Sequence, residues 1–302
     1  MLGSMENRSS CTSLLACPVC GRALADVGRD DSGRGGSARC PEGHSYDYAR
    51  SGYLNLTRGS GRGRVGDTAE MVRARAEFLA TGHYGRVAEA VATAASEAMA
   101  DGVGTHSGEP SPGTPVVAEI GCGTAYYLNA VVRNLTDKAR APNCAYGFDL
   151  SKPAVDRAAR DHPDLRFAVA DVEAAVPLLD SSADLVLSAF APRPAAELAR
   201  VTKPGGSLVV AFAGPRHLER LRERLDLLAV GEDKLETLAH RLAPSFDLVD
   251  TRAVDYELEL TADEAGLVVL MGPNARHGSN PTGIDGSPAD LVSVVVARFR
   301  RR

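Results

Sequence analysis

Val116-Val117-Ala118-Glu119-Ile120-Gly121-Cys122-Gly123-Thr124-Ala125-Tyr126-Tyr127 decides how the rest of the chain is read. A short apolar run carrying an acid stops at Gly121-Cys122-Gly123 and gives way to a helical pattern. That order predicts a strand over 116–121, a tight turn and a helix start. Two glycines let the backbone turn sharply and let a ligand lie against main-chain atoms. The dinucleotide fingerprint needs a third glycine, and Tyr126 stands in its place. A pyrophosphate is therefore disfavoured. A ligand without phosphates, of which S-adenosylmethionine is the obvious one, fits this turn better.

Outward from the turn, strand and helix patterns alternate. Strands are expected over 116–121, 144–149, 166–171, 184–190, 207–213, 247–260 and 291–299. Helices are expected over 125–135, 153–160, 194–201, 215–228 and 262–271, and Lys203-Pro204-Gly205-Gly206 reads as a turn. Such alternation implies an α/β fold with a doubly wound, mostly parallel, seven-stranded Rossmann-like sheet. Ligands of these sheets sit beyond the carboxyl ends of the strands. Glu119, Asp149 and Asp171 fall at or near those ends. Asp149 is placed to accept both ribose hydroxyls of the donor, and Asp171 to accept from its adenine amino group. Gly121 and Gly123 let the methionine part approach the backbone, and Glu119 helps hold its ammonium group. For each acid alone, a helix cap or a solvated loop residue is the alternative reading. Together with the glycine turn they favour a methyl donor, and three acids disfavour NADP.

A chain of 302 residues with 44% hydrophobic content can bury one large core and something smaller. The net charge of -5 does not advertise nucleic acid. Residues 1–66 differ, with nine Arg against six Asp and Glu. No apolar run approaches the ~20 residues of a membrane span. The first residues carry no hydrophobic signal region. The six cysteines are not spread as a disulfide framework, which points to the cytoplasm.

Four of the N-terminal residues predict a metal. Cys17-Pro18-Val19-Cys20-Gly21 is a knuckle that turns two thiolates toward one point. Cys40-Pro41-Glu42-Gly43-His44 adds a third sulfur and an imidazole. Three Cys and one His form a closed tetrahedral set, the mark of structural Zn2+. Residues 26–37 between the pairs read as a polar loop, and Cys11 is a spare without a partner at ligand spacing. Metal binding supplies the folding energy of a ribbon this small. Next, Tyr46, Tyr48 and Tyr53 interleave with Arg50, Arg58, Arg62 and Arg64. Arginines on a glycine-rich segment suit phosphates and tyrosines suit stacking on unpaired bases, although a solvated linker explains the composition equally well. A helix over 67–79 is expected to be capped by Asp67 with Glu70 at capping-box spacing. A second helix follows over 85–100, and 101–115 reads as linker. The expected division is a zinc-binding RNA-recognition domain over 11–66, a helical bridge and linker over 67–115, and a methyltransferase domain over 116–302.

The zinc set followed by HSYDYARSGYLNL, then GDTAEMVRARAEFLATGHY, EIGCGTAYY, GFDLSK, ARVTKPGG and GPRHL, resembles the 23S rRNA (guanine-N1)-methyltransferases over nearly the whole chain. The resemblance implies that Tyr84, Tyr127, Leu128 and His217 touch S-adenosylmethionine. It implies that the zinc domain helps hold a 23S rRNA hairpin loop, and that the protein forms a homodimer. The stretch 271–277 resembles the tylosin and mycinamicin resistance branch rather than the housekeeping branch, which acts on a neighbouring guanine. Thr124-Ala125 departs from the acid-glycine pair expected there, and the loop over 28–36 and the linker over 101–115 are longer than expected.

N1 of guanine carries a proton and is a poor nucleophile until it is lost. Positioning of N1 against the sulfonium methyl, at roughly 3 Å, is therefore expected to dominate. Water is the expected proton acceptor, with Asp171 as the alternative. The expected end of the fourth strand, 188–192, offers no acid or base. Phe190 there reads as a core residue, with stacking on the base as the alternative. Two competing readings are a small-molecule methyltransferase with a structural zinc ribbon and an RNA-binding module with an inert fold.

Overall fold

The computed structural model describes residues 11–28, 35–57, 64–101, 115–225, 227, 231, 233–272 and 289–302. In chain order its strands are β1 (Ala25–Val27), β2 (Ser37–Arg39), β3 (Ser45–Asp47), β4 (Leu54–Asn55), β5 (Val116–Ile120), β6 (Cys144–Asp149), β7 (Arg166–Val169), β8 (Ala183–Ala189), β9 (Thr202–Ala213), β10 (Phe246–Glu259) and β11 (Ala289–Arg301). Its helices are α1 (Ala69–Ala80), α2 (Gly85–Asp101), α3 (Tyr126–Asp137), α4 (Lys152–Asp161), α5 (Ala195–Val201), α6 (Glu219–Arg224), α7 (Lys234–Leu242) and α8 (Ala262–Met271). Among the described residues, no helix is long and apolar enough to cross a membrane.

β5 is buried at all five positions, as a central strand covered on both faces must be. The large sheet has the order β10-β11-β9-β8-β5-β6-β7-β4. Pairing is parallel from β9 through β4, and antiparallel where β11 meets β9 and β10. Among the described residues the sheet therefore has eight strands rather than the seven expected. The extra one is β4, where Leu54 lies opposite Ala168 at the edge. Two residues carry no periodicity, so nothing in the sequence marked it.

Side chains alternate faces along each strand. Val117, Leu185, Leu187 and Val209 pack with α1, α2, α3 and α8 on one face. Ile120, Val186, Leu208 and Val210 pack with α5 and α7 on the other, and the N-terminal ribbon joins them there. Leu15, Leu24, Leu54 and Leu56 of the ribbon are buried in that second core. The ribbon has its own sheet, β1-β2-β3, so residues 26, 27 and 37 of the expected polar loop are strand instead. Cys11 is not a spare either. It is disulfide-bonded to Cys144, the first residue of β6, across 133 residues of chain. Spacing rules look for near neighbours, and this pair is distant in sequence.

Three further expectations are corrected. Thr68, not Asp67, caps α1, its hydroxyl accepting the Met71 N–H, while Asp67 pairs with Arg75 at 2.6 Å. Among the described residues of the expected long helix over 215–228, Glu219–Arg224 are helical, and left-handed Leu218 at φ 51° sets the late start. The KPGG turn lies inside β9: Thr202 pairs with Ala183 and Ser207 with Leu185, so the four residues between them bulge out. The linker over 102–114 lies outside the described residues. Helix α7 went unread, although Leu235, Leu238, Ala239 and Leu242 carry its period.

Candidate functional site

A cleft of about 1070 Å³ opens beyond the carboxyl ends of β5, β6, β7 and β8. Single small ligands generally occupy ≈ 300–1,000 Å³, so there is room for a donor and part of a second molecule. The glycine turn forms its floor. Gly121 is left-handed at φ 73°, and a Cβ there would come within 2.4 Å of the Ala191 Cβ. Phe148 O accepts the N–H groups of Gly121 and Cys122 at 2.8 and 3.0 Å, and Asp149 accepts that of Gly123 at 2.8 Å. Three successive N–H groups of the turn are thus consumed within the protein. Over 121–123 the turn offers bare backbone without free N–H groups, which fits an adenosyl sulfonium and not a nucleotide phosphate.

Asp149, Asp171, Gly121, Gly123, Tyr84, Tyr127 and His217 all reach this cleft. The Asp149 carboxylate takes one backbone N–H on each oxygen, from Gly123 and Ser151 at 2.8 Å, and keeps its second lone pairs. Burial pushes its pKa up, with those two N–H groups opposing the shift. Asp171 accepts from Arg64 at 3.2 Å, and Glu173 shares the same guanidinium at 3.4 Å.

Glu119 and Leu128 do not line the cleft. Glu119 is 1% exposed and accepts the Leu128 N–H at 3.0 Å. Ala125, the residue before α3, has no side chain to cap that turn, so Glu119 does it from β5. Burial pushes its pKa well above the usual carboxylate range. Its expected place beside the donor's ammonium group is therefore withdrawn: its side chain sits beneath the turn.

Phe190 is also corrected, in the opposite direction. It is 41% exposed, left-handed at φ 53°, and faces the cleft. Its ring lies 6.2 Å from that of Tyr84, 5.8 Å from Tyr127 and 6.3 Å from His217. An apolar residue at the expected end of the fourth strand reads as core, and the left-handed backbone of Phe190 itself, just past the end of β8, turned its side chain outward. Such a backbone costs a non-glycine residue about 1–2 kcal/mol, and an exposed aromatic gains little from packing in return.

His217 is 7% exposed, and its Nδ1 accepts the Ser293 N–H at 3.2 Å. The single proton of the neutral ring therefore sits on Nε2, which donates to the Tyr84 hydroxyl at 2.9 Å. Burial, with repulsion from Arg222 and Lys234, lowers the His217 pKa from 6.5 to about 4. The imidazole is neutral at pH 7 and its accepting nitrogen is taken, so it offers no base to the cleft. A measurable consequence is a pH-dependent stability. The unfolded chain takes up this proton near pH 6.5 and the fold resists until about 4. Stability from this group is thus complete above the first value and declines through the window, by ~3 kcal/mol in all. Denaturant melts of the wild type and His217→Gln should diverge across that window; parallel pH profiles would contradict it.

The metal set is assembled as expected. Cys17, Cys20, Cys40 and His44 bring their ligating atoms within 4.8 Å of one another. His44 Nδ1 lies 3.3 Å from Cys40 Sγ and 3.6 Å from Cys17 Sγ, and the Cys20 and Cys40 sulfurs are 3.6 Å apart. These are close to the edges of a tetrahedron with Zn–S bonds of about 2.3 Å and Zn–N of about 2.0 Å. Left-handed Gly21 and Gly43 close the two knuckles, donating to Cys17 O at 2.8 Å and Cys40 O at 3.0 Å.

The expected stacking tyrosines are occupied elsewhere. Tyr46 contacts the Cys17 sulfur at 3.2 Å, Tyr48 donates to Asp26 at 2.6 Å, and Tyr53 is 4% exposed. Arg50 is exposed, Arg64 is paired at the cleft, and Arg58 and Arg62 lie outside the described residues.

Residues 117–206 match the family described as "Methyltransferase domain", and residues 15–57 match the zinc ribbon described as "RlmA, N-terminal". The chain is 39% identical over 295 residues to a 23S rRNA (guanine-N1)-methyltransferase of Micromonospora griseorubida, covering 95% of this chain and 97% of that one. It is 38% identical over 272 residues to the 23S rRNA (guanine(748)-N1)-methyltransferase of Streptomyces fradiae, covering 89% and 88%. A Bacillus subtilis protein designated a 23S rRNA (guanine-N1)-methyltransferase, without a numbered guanine, is 31% identical over 217 residues, covering 70% and 69%. With a methyl-donor turn, a zinc ribbon and near full-length identity in one chain, the protein belongs to the 23S rRNA (guanine-N1)-methyltransferase family.

Proposed function

We propose that the protein transfers the methyl group of S-adenosylmethionine to N1 of a loop guanine in 23S rRNA near the macrolide site. We further propose that this guanine is the one numbered 748 for the Streptomyces relative, and that its methylation confers resistance to tylosin- and mycinamicin-type macrolides. The observation that supports the reading most is Phe190. An aromatic face is held in a strained, exposed position at the end of β8, beside the donor floor formed by Gly121 and Gly123. A flipped loop base is the acceptor such a face suits, since every base has a face on which to stack.

When bound, the donor supplies a methyl already activated on a sulfonium. The chain's own residues then have three tasks. Asp149 holds the ribose and Asp171 receives the adenine edge. Tyr84, Tyr127 and His217 form the buried wall behind Phe190 and leave its other side open to the cleft. Phe190 sets the plane of the guanine so that N1 faces the methyl. Residues 188–192 offer no acid or base, and N1 gives its proton to water once aligned. The reaction belongs in the cytoplasm with the ribosome, and a homodimer is part of the same proposal. A disulfide is uncommon in that compartment, but Cys11 and Cys144 are 3% and 2% exposed, out of reach of soluble thiols.

Primer extension on 23S rRNA from cells with and without the protein tests the reading, because N1 methylation blocks base pairing. The expected result is one new stop at that guanine together with reduced tylosin susceptibility. A stop at the neighbouring guanine would assign the housekeeping role. An unchanged pattern would overturn the RNA substrate.

A further inference from the structure

The cleft has two electrically different ends. At the β6–β7 end its cations are paired, Arg64 with Asp171 and Glu173, and Arg75 with Asp67. At the β8–β9 end three cations converge from different elements: Arg193 from the loop after β8, Arg222 from α6 and Lys234 from the first turn of α7. Among the described residues none of the three has a carboxylate partner. Arg193 Nη1 and Arg222 Nε are buried and without any hydrogen-bond acceptor among the described residues. Buried, unsatisfied donors on charged groups are among the most costly features a fold can keep. Arg241 donates to Arg193 O at 3.2 Å, adding a fourth cation behind the loop. Arg193 and Arg222 both depress the Lys234 pKa, after burial, which places the three within electrostatic reach of one another. The Arg193 guanidinium is steadied over the Phe212 ring at 5.6 Å. Arg193 also follows Phe190 by only three residues, so the cluster lies next to the face assigned to the acceptor base.

We infer that Arg193, Arg222 and Lys234 form an anion subsite that takes the backbone phosphates flanking the flipped nucleotide. A flipped base remains tied to two phosphodiesters, and those must travel with it to the mouth of the cleft. Arginine forks suit phosphate oxygens bidentately, and a lysine adds a mobile point charge. The inference rests on the RNA reading above, and it adds phosphate contacts on the far wall of the cleft to those expected of Arg50, Arg58, Arg62 and Arg64.

The test uses the full zinc-loaded chain, a 23S rRNA hairpin transcript and S-adenosylmethionine. RNA affinity is read against salt, donor affinity by calorimetry. The double variant Arg193→Gln/Lys234→Gln should bind the hairpin at least tenfold more weakly. Its log–log salt slope should be shallower by about 1–2, as two lost phosphate contacts require. Donor affinity should stay within twofold, which also reports an intact fold; if the double variant is misfolded, Lys234→Gln alone should show a slope change of about 1. Weakened donor binding with unchanged RNA binding would instead make the cluster a seat for the donor's carboxylate, and overturn the inference. Unchanged RNA affinity and slope would overturn it as well. If the wild type neither binds nor methylates the hairpin, the substrate reading itself falls and this inference with it.

Discussion

Removing zinc is expected to abolish rRNA methylation while leaving the donor floor intact. The strands of the ribbon's own sheet are three residues each, and each of its two knuckles is closed by two backbone hydrogen bonds. Structural zinc contributes about 10–16 kcal/mol in small ribbons, far more than such strands supply. Without the ion, three sulfurs and an imidazole remain crowded within 4.8 Å with little to hold them. The large sheet does not depend on that site, because β5, β6 and β8 pair with one another and are covered by helices. The Cys11–Cys144 bond and buried Leu54 keep the ribbon's ends attached to the sheet. Chelation, or Cys40→Ser, should therefore lower methyl transfer to RNA by about 100-fold or more and lower the first thermal transition. Donor affinity should change by only a few-fold. Full RNA methylation by zinc-free protein would show that the ribbon is dispensable.

The second large effect is expected at Phe190. Base–aromatic stacking is worth about 1–3 kcal/mol, so Phe190→Ala should lower kcat/KM for the hairpin by roughly 10- to 100-fold. Phe190→Tyr should stay near wild type. Phe190→Gly separates this role from a structural one. Its backbone is left-handed at φ 53°, where glycine is favoured, and the side chain is 41% exposed. Thermal stability of the glycine variant should be equal to or above that of the wild type even as transfer falls. Loss of stability in step with activity would return Phe190 to a packing role.

Much of this was legible in the sequence because it depends on local rules. The strand, Gly121-Cys122-Gly123 and helix order placed the cleft. Cysteine spacing placed the zinc set, and the acids at strand ends placed Asp149 and Asp171. What stayed hidden depends on distance or on a single dihedral. The Cys11–Cys144 bond joins residues 133 apart. β4 is two residues long. Phe190 faces outward because its φ is positive, and a composition window sees only an apolar neighbour of β8. Glu119 shows the converse: an acid on a strand is read as a ligand contact until its carboxylate is found 3.0 Å from the Leu128 N–H. The tyrosines of the basic segment look like stacking platforms until Tyr46 is found against a zinc ligand and Tyr48 against Asp26. The cations of the far wall come from a loop and two helices separated in sequence, so no basic run announced them.

The central claim is that one cleft holds a methyl donor and a loop guanine together. The most direct measurement incubates the purified zinc-loaded protein with isotope-labelled S-adenosylmethionine and a 23S rRNA hairpin, then digests the RNA and weighs its nucleosides. The account predicts one labelled methyl per hairpin, recovered as 1-methylguanosine. Donor bound with no label in the RNA, or label on any other atom, would contradict it.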